Sequence, residues 1–231
     1  MLCRKSVQTN IKLEVDSVKK ILILANSSGG LYDFRNDFVL GLLKDYEVYV
    51  SIPDEVKTKE LAEEGCKIIK TPINRRGVNP VEDFKLFLAY RKLMKEIKPD
   101  LVATYTIKPN IYGGMAAQSR KLPYIETITG LGGAFDRKGL FLKLIVTLYR
   151  IGMKKAECIF FQNRENRQIF RDFGIEGKSE CQVNGSGVDL IRHTFEPYPM
   201  DEKCQFLFVG RVMKERGIVE FLEAAKKLHS E

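Results

Sequence analysis

The chain has 231 residues, of which 44% are hydrophobic and 29% charged, with a formal net charge of +8. That is enough apolar material for a packed core, in one large domain or one and a half ordinary ones, so the composition describes a globular protein. Five cysteines, Cys3, Cys66, Cys158, Cys181 and Cys204, are odd in number and widely spaced with no CxxC pair, which suggests neither a disulfide framework nor a zinc site and fits a reducing cytoplasm.

Residues 1–18 are polar and aperiodic, and read as a flexible leader or an upstream extension. No continuous apolar core precedes Ile21, so this is not a signal peptide, and no stretch reaches the roughly 20 apolar residues that span a bilayer. From there, β-prone runs at 21–25, 47–52, 67–71, 101–105, 124–129, 158–162 and 180–183 alternate with helical stretches such as 80–97 and 110–120. Such alternation predicts an α/β domain over residues 19–191, a doubly wound parallel sheet whose ligand cleft lies at the carboxyl ends of the strands. Residues 192–204, with Pro197 and Pro199, read as a linker. At 206–209 a new apolar run begins, Gly210 ends it, and 217–230 carries Ile218, Phe221, Leu222, Ala225 and Leu228 at helical spacing. Residues 205–231 therefore read as the first strand and helix of an incomplete second α/β domain.

The turn after the first strand, 26–31, contains Gly29 and Gly30, which let a backbone approach a phosphate closely; the alternative is an ordinary tight turn. Arg35, one turn into the following helix, can reach the same region or be a plain surface arginine. The fourth and fifth strands end in Thr104-Tyr105-Thr106 and Thr127-Ile128-Thr129-Gly130, hydroxyl-rich turns that can hydrogen-bond sugar hydroxyls, with Lys108 and Asn110 just beyond the first of them. Threonines also end strands for purely structural reasons.

Between residues 137 and 171 nine Lys or Arg face two acids, a balance of +7. A basic face attracts nucleic acid, anionic lipid or a phosphorylated substrate, or is simply solvated. Within it, Lys143, Thr147, Arg150 and Lys154 form one polar stripe on an otherwise apolar helix. Such a helix is either a crossover buried against the sheet or a basic, hydrophobic rim on an anionic membrane. The segment 210–217 carries Arg211 and Arg216 five residues apart between two glycines, a turn suited to an anion.

Metal chemistry has no support, because His193 and His229 lack partners at ligand spacing and no Asp-x-Asp occurs. There is no G-x-S-x-G elbow, no dinucleotide glycine fingerprint and no nucleic-acid recognition motif.

Gly210-Arg-Val-Met-Lys-Glu-Arg-Gly217 resembles the segment that opens the C-terminal domain of retaining family 4 glycosyltransferases of the GT-B fold, with Arg216 in place of the usual lysine. Upstream, 108–114 (KPNIYGG), 127–135 (TITGLGGAF) and 185–189 (GSGVD) resemble, in family order, the N-terminal domain of the branch that extends lipid-linked bacterial surface saccharides. The resemblance covers 19–231 and implies a Rossmann-like acceptor-side domain followed by the start of a donor domain. It implies transfer from a nucleotide-diphosphate sugar to a polyprenyl-diphosphate-linked saccharide, on the cytoplasmic face of an anionic inner membrane, without metal or other cofactor and without nucleic acid. Gly29, Gly30, Arg211 and Arg216 would meet the donor diphosphate. Arg35, Thr106, Lys108, Asn110, Thr129 and Gly130 would position acceptor or sugar, and Lys143, Arg150 and Lys154 would face the membrane. Thr129 stands near where many family members carry a histidine, so no catalytic residue is assigned. The family's two donor-binding glutamates fall beyond Glu231, so the chain by itself is expected to be inactive, and a binding module without transfer is the alternative reading.

Overall fold

The computed structural model describes residues 18–75, 79–131, 135, 139–191, 193–197, 205–210 and 212–229. The chain divides into two compact units, Met1–Val188 and Asp189–Glu231.

In the first unit the elements run β1 (Lys20–Leu24), α1 (Ser28–Leu43), β2 (Glu47–Ile52), α2 (Thr58–Glu63), β3 (Lys67–Lys70), α3 (Pro80–Ile97) and β4 (Leu101–Tyr105). A π-helical turn (Pro109–Gly113) then leads into α4 (Gly114–Arg120), followed by β5 (Tyr124–Ile128), α5 (Leu140–Met153), β6 (Cys158–Phe161), α6 (Arg164–Asp172) and β7 (Glu180–Gln182). The strands form one sheet in the order β3-β2-β1-β4-β5-β6-β7, and every pairing is parallel. This is the doubly wound α/β architecture that the alternating runs predict, each strand within a residue of its expected limits.

The central strands are apolar throughout because both faces are covered. In β1, Ile21 and Ile23 point into one core and Leu22 and Leu24 into the other. Leu31 and Val39 of α1 and Leu61 of α2 close the first core. Tyr90 and Met94 of α3, Tyr149 of α5 and Phe170 of α6 close the second. The helices change faces where the chain passes from β3 back to β4, since right-handed crossovers in opposite directions must lie on opposite sides. α3 starts where it does because Asn79 caps it, accepting from the N–H of Val81 and Glu82 with Pro80 in the first turn, and ends at Lys98 in the left-handed region (φ 53°).

Two glycines let the second helical layer close. A Cβ on Gly152 of α5 would lie 2.8 Å from the Ile111 carbonyl oxygen, and one on Gly114 would lie 2.5 Å from the Gly152 carbonyl oxygen. The backbones therefore meet directly, with Gln118 and the Tyr124 hydroxyl donating to that same Gly152 carbonyl.

The second unit contains a 3₁₀ turn (Lys214–Arg216) and α7 (Ile218–His229). Phe208 packs on Phe221 at 5.7 Å between ring centroids. The strand expected at 206–209 is not formed. A strand needs a neighbour to pair with, and this unit contains none among its described residues, which leaves Phe206, Leu207 and Val209 exposed. Among the described residues, no helix is long and apolar enough to cross a membrane.

Candidate functional site

β1 pairs with β2 on one side and β4 on the other, so the chain leaves these two adjacent strands in opposite directions and a crevice opens at their carboxyl ends. A cleft of about 310 Å³ occupies it. One wall is built by Asn26 and Ser27 after β1 and by Gly30, Phe34 and Arg35 of α1. The facing wall takes a contribution from each successive strand end: Tyr105 at the end of β4 and Thr106 after it, Thr129 after β5, Gln162 after β6 and Ser186 after β7.

The start of α1 is fixed from outside the helix. Ser27 is its N-cap and accepts from Gly30 N–H at 3.3 Å. Asp54 accepts from both the Ser28 N–H (2.9 Å) and the Ser28 hydroxyl, the Ser28 Oγ accepts from the Lys57 N–H (2.9 Å), and Arg75 pairs with Asp54. Of the first three N–H groups this leaves that of Gly29 without a partner among the described residues. A Cβ at Gly29 or Gly30 would meet only ordinary contacts, 3.6 Å or more away. Nothing in the protein itself requires glycine there; the missing side chains leave the N-terminal turn of the helix uncovered, where the dipole and free N–H favour an anion.

Arg35 supplies the matching full charge. Its guanidinium lies 4.8 Å from the centre of the Tyr105 ring, and no carboxylate pairs with it among the described residues. Burial pulls its pKa below the ordinary arginine value while the facing tyrosine opposes that shift, and the group stays cationic at any physiological pH. Burial also pushes the Tyr105 phenol up, so it remains neutral beneath the cation.

Thr106 adds a strained, unpaired hydroxyl. Its φ is 74°, a conformation that costs a β-branched residue on the order of 1–3 kcal/mol. Its Oγ1 is buried with no hydrogen-bond partner. A cation, an uncovered helix start and an unsatisfied hydroxyl thus converge on one cleft, an arrangement suited to a phosphorylated, hydroxyl-bearing ligand.

The structure brings together Gly30, Arg35, Thr106 and Thr129 of the residues singled out from the sequence, with Gly29 one position from the wall and Gly130 next to Thr129. Lys108 differs: it turns away to pair with Asp83 at 2.5 Å. Asn110 is 1% exposed and engaged by the protein, accepting from Thr104 Oγ1 at 2.7 Å and donating to the Thr127 carbonyl at 3.0 Å. It ties β4 to β5 beneath the cleft. Arg211 lies outside the described residues, and Arg216 is exposed in the second unit. On α5, Lys143 is exposed and Lys154 caps the helix end, also exposed, while Arg150 spends its guanidinium on the Phe173 carbonyl at the end of α6. Gln162 was missed from the sequence although it follows a strand, which was the available signal, and Ser186 was read only as part of the 185–189 motif, with no role of its own. Phe34 and the Ser28–Asp54–Arg75 chain offered no signal.

Comparison with known proteins gives a family match over residues 20–163, to the family described as glycosyl transferase 4-like. The chain is 28% identical over 229 residues to the N,N'-diacetylbacillosaminyl-diphospho-undecaprenol alpha-1,3-N-acetylgalactosaminyltransferase of Campylobacter jejuni, covering 90% of this chain and 60% of that protein. It is 23% identical to the Escherichia coli UDP-Gal:alpha-D-GlcNAc-diphosphoundecaprenol alpha-1,3-galactosyltransferase, covering 94% of this chain and 58% of the relative. The chain thus spans about three fifths of the length of these curated relatives. In fold it is similar to Anabaena HepE in complex with UDP and glucose, with a TM-score of 0.58 at 16% identity over 78% of this chain and 47% of that one.

Proposed function

The chain belongs to the glycosyl transferase 4-like family, and from that premise we propose that its cleft receives the diphosphate of a nucleotide sugar, in an enzyme that transfers the sugar to a polyprenyl-diphosphate-linked saccharide. The observation that carries this reading is Arg35, without a carboxylate partner among the described residues, set beside the uncovered start of α1 and the orphan hydroxyl of Thr106. Arg35 and the Gly29–Gly30 backbone neutralise and hold phosphate oxygens; Thr106 and Thr129 orient a sugar. Such an enzyme extends a lipid-linked saccharide, in keeping with the diphospho-undecaprenol-linked sugars in the relatives' names.

Calorimetric titration of this chain with UDP, GDP and their sugars tests the cleft. Replacing Arg35 with methionine preserves the packing on Tyr105 and is expected to weaken binding about 10- to 100-fold, the 1.5–3 kcal/mol of a charge-assisted hydrogen bond. Equal affinity in the variant, or no nucleotide binding at all, would overturn the assignment. Transfer itself is measured with radiolabelled nucleotide sugars and polyprenyl-diphosphate acceptors.

One observation favours the second reading, a binding module without transfer. Residues 206–209 form no strand, so the described residues of the second unit offer no sheet on which a base and ribose could rest. Turnover by the 231-residue chain at the rate of a protein extended to the relatives' length would exclude that reading.

We also place the enzyme on the cytoplasmic face of an anionic membrane through α5, where Leu140 and Leu144 are exposed beside Lys143. Co-sedimentation with phosphatidylglycerol vesicles is expected to exceed that with neutral vesicles and to fall with salt. Lys143→Gln with Lys154→Gln should remove about 1 kcal/mol per charge. Equal recovery on both vesicle types would reject the electrostatic attachment.

A further inference from the structure

Thr106 keeps its left-handed backbone, φ 74°, without help from its own side chain, whose Oγ1 is buried with no hydrogen-bond partner among the described residues. A conformation so costly to a β-branched residue persists only where neighbours over-determine it. Three hydrogen bonds around it converge on Asn110. The Asn110 backbone N–H donates to the Thr106 carbonyl at 3.0 Å. Its side chain accepts from Thr104 Oγ1 at 2.7 Å and donates to the Thr127 carbonyl at 3.0 Å. Thr104 lies two residues before the strain, and Thr127 is the register partner of Tyr105, the residue just before it. One side chain thus fastens both ends of the segment 104–110 and leaves the strain between them.

The π turn is what brings Asn110 within reach. A Cβ on Gly113 would lie 2.6 Å from Leu24 Cδ1 and 3.2 Å from Thr104 Cγ2, so the turn sits on β1 and β4 with no room for a side chain there. The Asn110 amide then offers an acceptor and a donor on one planar group. Both Asn110 and Thr104 are buried, and hydrogen bonds shielded from water hold their groups more firmly than exposed ones. Lys108 and Tyr112, which both bind Asp83, give the turn a second anchor, but that one fastens it to α3 rather than to the strand ends.

We propose that Asn110 is a positioning residue that acts on the ligand through Thr106: it imposes the left-handed backbone and so keeps the unbonded threonine hydroxyl at the cleft, where it meets the sugar of the donor. The clamp on the backbone stands by itself, and the sugar rests on the transferase reading.

Two measurements on the 231-residue chain test this. In the first, isotopically labelled threonine reports the Thr106 backbone by NMR, its signal identified as the one that Thr106→Ser removes. Asn110→Ala should shift that signal out of the left-handed range, whereas Tyr112→Phe, which cuts only the α3 anchor, should leave it in place. A Thr106 signal unmoved by Asn110→Ala, or moved as far by Tyr112→Phe, overturns the clamp. In the second, calorimetry compares UDP with UDP-N-acetylgalactosamine, UDP-galactose and UDP-glucose. Asn110→Ala should lose about 3- to 10-fold more affinity for at least one nucleotide sugar than for UDP, the worth of one neutral hydrogen bond. Thr106→Gly should show the same split, and the double variant should be no weaker than either single one, because both changes remove one and the same contact. Equal losses for UDP and its sugars, or losses that multiply in the double variant, overturn the action through Thr106. Should Asn110→Ala not fold, as judged by circular dichroism, Thr104→Val replaces it in both measurements with the same expected directions, since it keeps the side-chain shape and releases one arm of the clamp. A parent that binds no nucleotide sinks the transferase reading while the NMR result still decides the clamp, and a parent that binds nucleotide with Thr106 unmoved in the variant sinks the clamp alone.

Discussion

Replacing Gly152 with alanine is expected to cost about 3 kcal/mol, the upper end of overpacking penalties, and to lower the melting temperature by roughly 6–12 °C for a domain of this size. The new Cβ would lie 2.8 Å from the Ile111 carbonyl oxygen and 3.0 Å from its Cα. Those are backbone atoms, which cannot swing aside as a flexible side chain would. Gly114→Ala should behave alike, since its Cβ would press on Glu126 Oε1 and stand 2.5 Å from the Gly152 carbonyl oxygen. The damage should reach the cleft, because the π turn that would be displaced carries Asn110, whose side chain ties Thr104 to the Thr127 carbonyl. Gly41→Ala is the internal control: nothing lies within 4 Å of a Cβ there, and in the body of α1 alanine should stabilise by about 0.5–1 kcal/mol. Thermal unfolding of the three variants checks the set, and a Gly152→Ala protein as stable as the parent would show that the π turn and α5 are not in backbone contact.

The second large effect concerns Glu126, in the middle of β5, fully buried with neither carboxylate oxygen hydrogen-bonded. Burial holds its pKa well above the ordinary carboxylate value, so the folded chain keeps a proton that the unfolded chain has lost. The unfolded state then binds fewer protons, and stability must fall as pH rises from the unfolded carboxylate pKa toward the folded one. The slope is at most about 1.4 kcal/mol per pH unit. Glu126→Gln removes that titration. Denaturant unfolding from pH 4.5 upward should show parent and variant diverging, with the variant gaining steadily, whereas parallel curves would mean that Glu126 is ionised in the fold. Nothing in the sequence marked this residue, since a single glutamate in an apolar strand reads as an outward-facing position.

The sheet was legible because buried parallel strands are written as short apolar runs, and α3 because Asn79-Pro80 is a start signal that needs no tertiary support. The run at 206–209 has the same local signature and forms no strand, since β structure depends on a neighbour that local propensity does not supply. At the site, residues on the turns after strands were readable wherever strand ends were, which covers Thr106 and Thr129. Asn110 and Lys108 lie on the same stretch of chain, and nothing local distinguishes a side chain turned into the core or toward Asp83 from one turned into the cleft. Pairings across long sequence intervals, Ser28 with Asp54 and Asp54 with Arg75, escape any reading by spacing.

The left-handed backbone of Thr106 sets the stability of this protein and the chemistry of its cleft against each other at one residue. Glycine or asparagine would relax that conformation, so a laboratory selection for thermal tolerance alone should drift toward them here, shedding the threonine hydroxyl as it goes. Libraries built to harden this scaffold would therefore do well to hold position 106 constant and look for their gains elsewhere.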